Sequence, residues 1–178
     1  GESSMKEEFN DCNKNYNHLL KSLCNILKER SNKESSYATF LQTEWVRVGL
    51  NEYFPFNITD IYNEDIFLVN PTTIKVNKSG VYHIIYKIPV NIEDKKDHLE
   101  QSIGLYINNV LQKNIQRTFG VIDPDYKNCM SIIGDDIIYI PENTLLQLKN
   151  NGFSNKSKNI NSYNKEGSSA SINIVKIG

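Results

Sequence analysis

The chain has 178 residues, with 20 Lys and Arg against 21 Asp and Glu, and a formal net charge of −1. That length accommodates one β domain and an appendage. The basic residues are scattered without a stripe for nucleic acid, and the densest basic cluster, Asp94-Lys95-Lys96-Asp97, neutralises itself. No run approaches the roughly 20 apolar residues of a membrane-spanning helix, so neither a nucleic-acid nor a membrane partner is expected. Gly1 to Ser4 ahead of Met5 reads as a cloning remnant, with Met5 the expected natural start. No basic-then-apolar secretory signal opens the chain, and retention inside a cell is the expectation.

Residues 1–8 are polar and expected to be disordered. Phe9, Cys12, Tyr16, Leu19, Leu23, Ile26 and Arg30 then follow one another at alternating steps of three and four. This is a coiled-coil heptad, and it predicts a helix over 9–30 with Phe9, Cys12, Tyr16, Leu19, Leu23 and Ile26 as an oligomerisation seam. Leu20, Cys24 and Leu27 add a second stripe beside it. The broad face suits three strands, or packing of the helix back onto a following domain. Asp11 in the first turn and Lys28 and Arg30 in the last complement the helix dipole. Three heptads alone are marginal in water, so assembly needs help from elsewhere.

Residues 31–36 form a polar linker, and from Tyr37 the period changes from 3.5 to 2. Tyr37 to Val48 is rich in β-branched and aromatic residues. Strands are predicted over Tyr53-Phe54-Pro55-Phe56, Ile66 to Val69, and, after an Asn70-Pro71 turn, Thr72 to Val76. The clearest strand is Val81 to Val90. Tyr82, Ile84, Tyr86, Ile88 and Val90 share its predicted core face, each contributing roughly 1.5–3 kcal/mol if fully buried. Val81, His83, Ile85 and Lys87 share the other face, and His83 reads as an inter-strand or interface histidine. Ile103 to Ile107, Asn108-Asn109 and Val110 read as a hairpin. Cys129 to Ile133 and Ile137 to Ile140 are two apolar runs split by Gly134-Asp135-Asp136. Pro141-Glu142-Asn143 turns into Thr144 to Lys149. Asn150 to Ser168 reads as a long loop, and Ser169 to Ile177 as a closing strand. Many short strands without helical period predict an all-β fold, an antiparallel jelly-roll sandwich over 37–178.

No nucleophile elbow, zinc-protease motif, phosphate loop or nucleotide fingerprint occurs, and no catalytic residue or cofactor is assigned. Asp123-Pro124-Asp125 and Gly134-Asp135-Asp136 read as turn-forming acidic loops ahead of calcium ligands, and no metal is assigned. Cys12, Cys24 and Cys129 form no zinc pattern with His18, His83 or His98. They read as reduced, partly buried thiols; an interchain disulfide at Cys12 or Cys24 is the alternative. Asn57-Ile58-Thr59 and Asn155-Lys156-Ser157 match the glycosylation sequon but carry little weight without a secretion signal. Trp45 and the ten tyrosines fit cores and subunit interfaces first, and sugar stacking second.

Several segments resemble one family when taken together. They are Tyr53-Phe54-Pro55-Phe56, the run Thr72 to Tyr86 with its central Gly80-Val81-Tyr82, Leu105-Tyr106-Ile107-Asn108-Asn109, and Ser171 to Ile177. Over Tyr37 to Gly178 they resemble the trimeric jelly roll of complement and tumour-necrosis-factor proteins. The closer likeness is to the domain ending collagen-like spore exosporium glycoproteins, the BclA type, and to their short relatives lacking collagen. The hairpin has Asn109 where the family usually carries Gly, and Asn also enters the left-handed region. The family's Gly-Asp turn is either Gly134-Asp135 or, as the favoured reading, replaced by Glu142-Asn143, which would leave Gly134 as a bulge inside a strand. No Gly-X-Y repeat is present; the heptad helix stands in its place. The resemblance implies a non-enzymatic homotrimer in a bacterial spore surface layer, exosporium or coat, made in the mother-cell cytoplasm beside other surface-layer proteins. Abundant Asn and Lys agree with a low-GC Gram-positive source. The alternative is an adhesin or lectin-like trimeric head using the loops Glu93 to Gln101 and Asn150 to Ser168.

Overall fold

The computed structural model describes residues 16–27, 29, 36–90, 99–113, 118–123, 130–152, 159–162 and 170–178. The chain divides into two units, Gly1–Glu34 and Ser35–Gly178. In the first, residues 16–27 form helix α1, and residue 29 is also helical. The predicted helix over 9–30 therefore holds in its middle, and its ends lie outside the described residues.

The second unit is an all-β jelly roll of thirteen described strands. They are β1 (Tyr37–Gln42), β2 (Val46–Val48), β3 (Ile58–Tyr62), β4 (Ile66–Asn70), β5 (Thr73–Val76), β6 (Gly80–Val90) and β7 (Leu99–Ile107). There follow β8 (Val110–Leu111), β9 (Thr118–Asp123), β10 (Met130–Ile140), β11 (Thr144–Asn150), β12 (Ile160–Ser162) and β13 (Ala170–Lys176). One sheet has the order β10-β6-β13-β1-β3, and the other β4-β5-β11-β7-β8 with β9 also on β7. β12 and β2 form a separate pair. Every ladder is antiparallel.

Period-2 alternation builds the core between the sheets. Tyr82, Ile84, Tyr86, Ile88 and Val90 are all buried, as their spacing predicts. Ala38, Phe40, Ile172, Ile174, Ile132, Ile138 and Ile140 join them from the same sheet. Ile66, Ile74, Val76, Ile103, Leu105, Leu146 and Leu148 face them from the other. Asn108 and Asn109 take φ of 48° and 65°, the left-handed pair that a two-residue hairpin of matching twist requires. Asn143 at φ 54° closes the next turn, where the family's Gly-Asp turn is expected.

Several strand readings need correction. Tyr37 to Val48 is two strands in different sheets, because Thr43 and Glu44 donate their N–H groups to the side chains of Asn57 and Gln42. Tyr53 to Phe56 is no strand. Tyr53 makes one isolated bridge to Lys149, Phe54 N bonds Leu148 O, and Phe56 N bonds Pro71 O, while Pro55 has no N–H to offer. Phe54 and Phe56 are nonetheless buried, 5.5 Å apart between ring centroids. The split runs around Gly134 are one strand, β10. Its register on β6 is unbroken, with Gly134 opposite Tyr86, so Gly134 is not a bulge. A Cβ at Gly134 would overlap the Tyr86 ring; glycine lets that ring lie across the strand. β3, β9 and β12 were not anticipated. β12 lies inside the span read as one loop, and β7 begins within Glu93 to Gln101. Cys129 lies outside the described residues.

Ser36, placed in the linker by sequence, belongs to the head. It is fully buried, its carbonyl accepts Lys176 N–H, and its hydroxyl donates to Asp65. Lys78 pairs with the same carboxylate at 3.1 Å, and Tyr82 donates its hydroxyl to Lys78 O. The C-terminus ends beside this network, where Gly178 O accepts Val81 N–H. Ser36 and Gly178 therefore lie at the same end of the sandwich.

Candidate oligomerisation face

The five-stranded sheet has a second face, turned away from the core. Residues directly opposite one another in antiparallel strands point the same way, so the registers lay it out in rows. One row runs Ile137, His83, Val175, Tyr37. The next runs Asp135, Ile85, Asn173, Thr39, Ile61. A third runs Ile133, Lys87, Ser171, Leu41, Ile58. Tyr139 and Val81 begin a fourth.

Most of these positions are apolar. Ile133, Ile137 and Tyr139 on β10 are 55%, 56% and 61% exposed, and Ile61 on β3 is 57% exposed. Tyr37, Ile58 and Val175 are exposed as well. A contiguous apolar sheet face of this breadth is unusual on a protein that functions as a monomer. Two polar pairs lie within it. Thr39 Oγ1 donates to Asn173 Oδ1 at 2.7 Å, and His83 Nε2 lies 2.6 Å from Asp135 Oδ1. Lys87 and Asp135 are its opposite fixed charges.

The outer surface of the other sheet differs in kind. Gln147 donates to Thr73, and the Lys149 ammonium sits 5.2 Å and 4.8 Å from the rings of Tyr53 and Tyr106. Those rings meet edge to face at 6.4 Å. Burial first, then the neighbouring Tyr53, raises the Tyr106 hydroxyl above its ordinary pKa. A lysine held between two tyrosines makes a closed surface feature.

The predicted seam appears on α1 as an open stripe. Tyr16, Leu19, Leu23 and Ile26 are 61%, 68%, 54% and 54% exposed. Leu20 and Leu27 are also exposed, and so is the free thiol of Cys24. Phe9, Cys12 and Arg30 lie outside the described residues. Sequence reasoning singled out this stripe and missed the larger surface on the sheet. Its signal was present as isoleucine on both alternation phases of β10, at Ile132 and Ile133 and at Ile137 and Ile138. Gly134-Asp135-Asp136, read as an acidic loop, is strand instead, and Asp135 is committed to His83. Among the described residues no group of three or more His, Cys, Asp or Glu could hold a metal ion. Among them, too, no helix is long and apolar enough to cross a membrane.

The architecture matches known structures over most of the chain. The Eiger tumour-necrosis-factor structure from S. frugiperda superposes with a TM-score of 0.60 at 13% identity, covering 81% of this chain and 92% of that one. The jelly roll is of the tumour-necrosis-factor and complement C1q type. The globular domain of zebrafish complement 1qA gives a TM-score of 0.57 at 12% identity, covering 80% of this chain and 98% of that one. Murine APRIL at pH 5.0 gives 0.53 at 8% identity, covering 81% and 100%. At these identities the likeness is one of fold. No protein-family model matches the sequence, and no curated protein matches it.

Proposed function

We propose that this chain is a non-enzymatic structural protein that assembles as a homotrimer and contributes to a bacterial spore surface layer, exosporium or coat. The observation that carries the assembly is the apolar outer face of the β10-β6-β13-β1-β3 sheet. Water-exposed Ile133, Ile137, Tyr139 and Ile61 gain free energy on being covered. Further copies of the same chain are the occupant. The face carries both a cation, Lys87, and an anion, Asp135, so copies can complement one another. The chain also exposes a second apolar stripe on α1, of the heptad kind that a three-stranded coil covers. The spore-layer assignment rests on the resemblance carried by Thr72 to Tyr86 and the accompanying segments.

Sedimentation velocity of the full chain at micromolar concentration is expected to give a trimer; a monomer would sink the proposal. For location, an antibody against the head is expected to label spores and not vegetative cells, and unlabelled spores would remove the spore layer while leaving the trimer intact. A binding head is the second reading. It is favoured by Trp45, 51% exposed beside the short β2–β12 pair at the end of the sandwich away from Ser36. A glycan array probed with the trimer separates the two.

A further inference from the structure

His83 stands within the apolar face, its Nε2 2.6 Å from Asp135 Oδ1 on the adjacent strand. The registers put Ile137 and Val175 directly opposite His83 on its two sides. Val81 and Ile85 flank it on β6, two residues away in each direction and on the same face. Asp135 is opposite Ile85 and stands between Ile133 and Ile137 on β10. The two polar side chains are open to water, at 36% and 61% exposure. The other titratable groups in the register rows of this face are Lys87 on β6, Tyr139 on β10 and Tyr37 on β1, and Asp60 stands at the register shift of the outer strand β3. On β13 the outward residues Ser171, Asn173 and Val175 carry none. Tyr82, Tyr86, Asp136 and Lys176 occupy register positions of the opposite face.

We infer that the His83–Asp135 pair couples self-association through this face to proton uptake; the inference rests on the homotrimer reading. Covering the face takes the pair out of water. A neutral imidazole beside a carboxylate then leaves a negative charge that its own hydrogen-bond partner does not balance. An imidazolium leaves a hydrogen-bonded pair of zero net charge, which costs less to bury. An ionised carboxylate only accepts, so Nε2–H is the donor to Asp135 and the added proton binds Nδ1. The protonated chain is therefore the one that assembles. Association is strongest on the acid side and weakens as pH rises and the proton is lost. With one proton per chain, linkage allows each chain's share of the assembly constant to change by up to about tenfold per pH unit.

The test is sedimentation equilibrium of the full chain at about pH 6 and about pH 8, the range over which histidine changes charge. Wild type is expected to associate at least about tenfold more tightly at the lower pH. His83→Gln keeps a side-chain N–H donor for Asp135 but does not titrate. It is expected to associate equally at both values. The control is needed because the chain carries two other histidines, His18 and His98. Equal association of wild type at the two values overturns the inference while leaving the trimer standing. So does a pH dependence that survives in His83→Gln. A wild-type chain that is monomeric at both values overturns the trimer and this inference together.

Discussion

Tyr86 lies flat across β10 because residue 134 has no side chain. The two residues are directly opposite, and the ring occupies the place of a Cβ at Gly134. Gly134→Ala is therefore an overpacking change, expected to cost about 1–3 kcal/mol in urea unfolding. An alanine variant as stable as wild type would show that the ring does not lie there. Tyr86 donates its hydroxyl to Ile103 O, and burial, then the charge of Asp136, raises its pKa. Tyr82 is pushed up to about 12 by burial first, with Asp65 raising it further and Ser36 opposing. Each raised phenol makes the folded state hold a proton that the unfolded chain releases near its ordinary value of 10.0. For Tyr82 this contribution to stability is complete below about pH 10 and is lost as pH rises through about 12. Tyr82→Phe loses the bond to Lys78 O, which costs about 1 kcal/mol at neutral pH. The variant should lose less stability than wild type between neutral pH and about pH 11, measured by urea unfolding. A parallel loss in both proteins would exclude Tyr82 as a contributor.

Elements were legible where one strand carried its own pattern. β6 alternates cleanly over eleven residues, and the core face read from spacing is the buried face. The β7–β8 hairpin was legible because Asn-Asn is one of few pairs that tolerate positive φ twice. Asn109→Gly should raise the thermal midpoint slightly, by relieving about 0.5–1 kcal/mol of left-handed strain. Asn108→Ala should lower it, because Asn108 Oδ1 also accepts Leu145 N–H on the neighbouring strand β11. No difference between these two variants would contradict the turn geometry. β12 escaped notice because it has three residues and exists through its pairing with β2. Phe54 and Phe56 look like a strand because they are apolar, but they are buried without a ladder around Pro55. The heptad was legible as a local period, and its middle is helix.

At the scale of the molecule, the fold turns one strand with apolar residues on both phases into a core wall and an exposed surface. Ile138 is 7% exposed and Ile137 is 56% exposed, though they are neighbours. Ile138→Ala should therefore cost about 2–5 kcal/mol of stability. Ile137→Asp should leave the folded β signal in circular dichroism intact and dissociate the trimer in sedimentation velocity. An intact trimer in Ile137→Asp would mean that this face is not where copies meet. Leu19→Asp with Leu23→Asp tests the helix separately. If the head sets the oligomer, these changes loosen the trimer without abolishing it.

The sequence by itself determined periods and turns: a 3.5-residue helix repeat, the alternation of β6, the Asn108-Asn109 reversal and the absence of a charged stripe. Each is a property of a few consecutive residues, so it survives without knowledge of the rest of the chain. Tertiary structure decided which phase of β10 is buried, that Tyr86 rests on Gly134, and that His83 meets Asp135 across a separation of 52 residues. These depend on strand order and register. Register is fixed by the summed burial of both sheets, and a shift of one residue would turn every side chain to the opposite face.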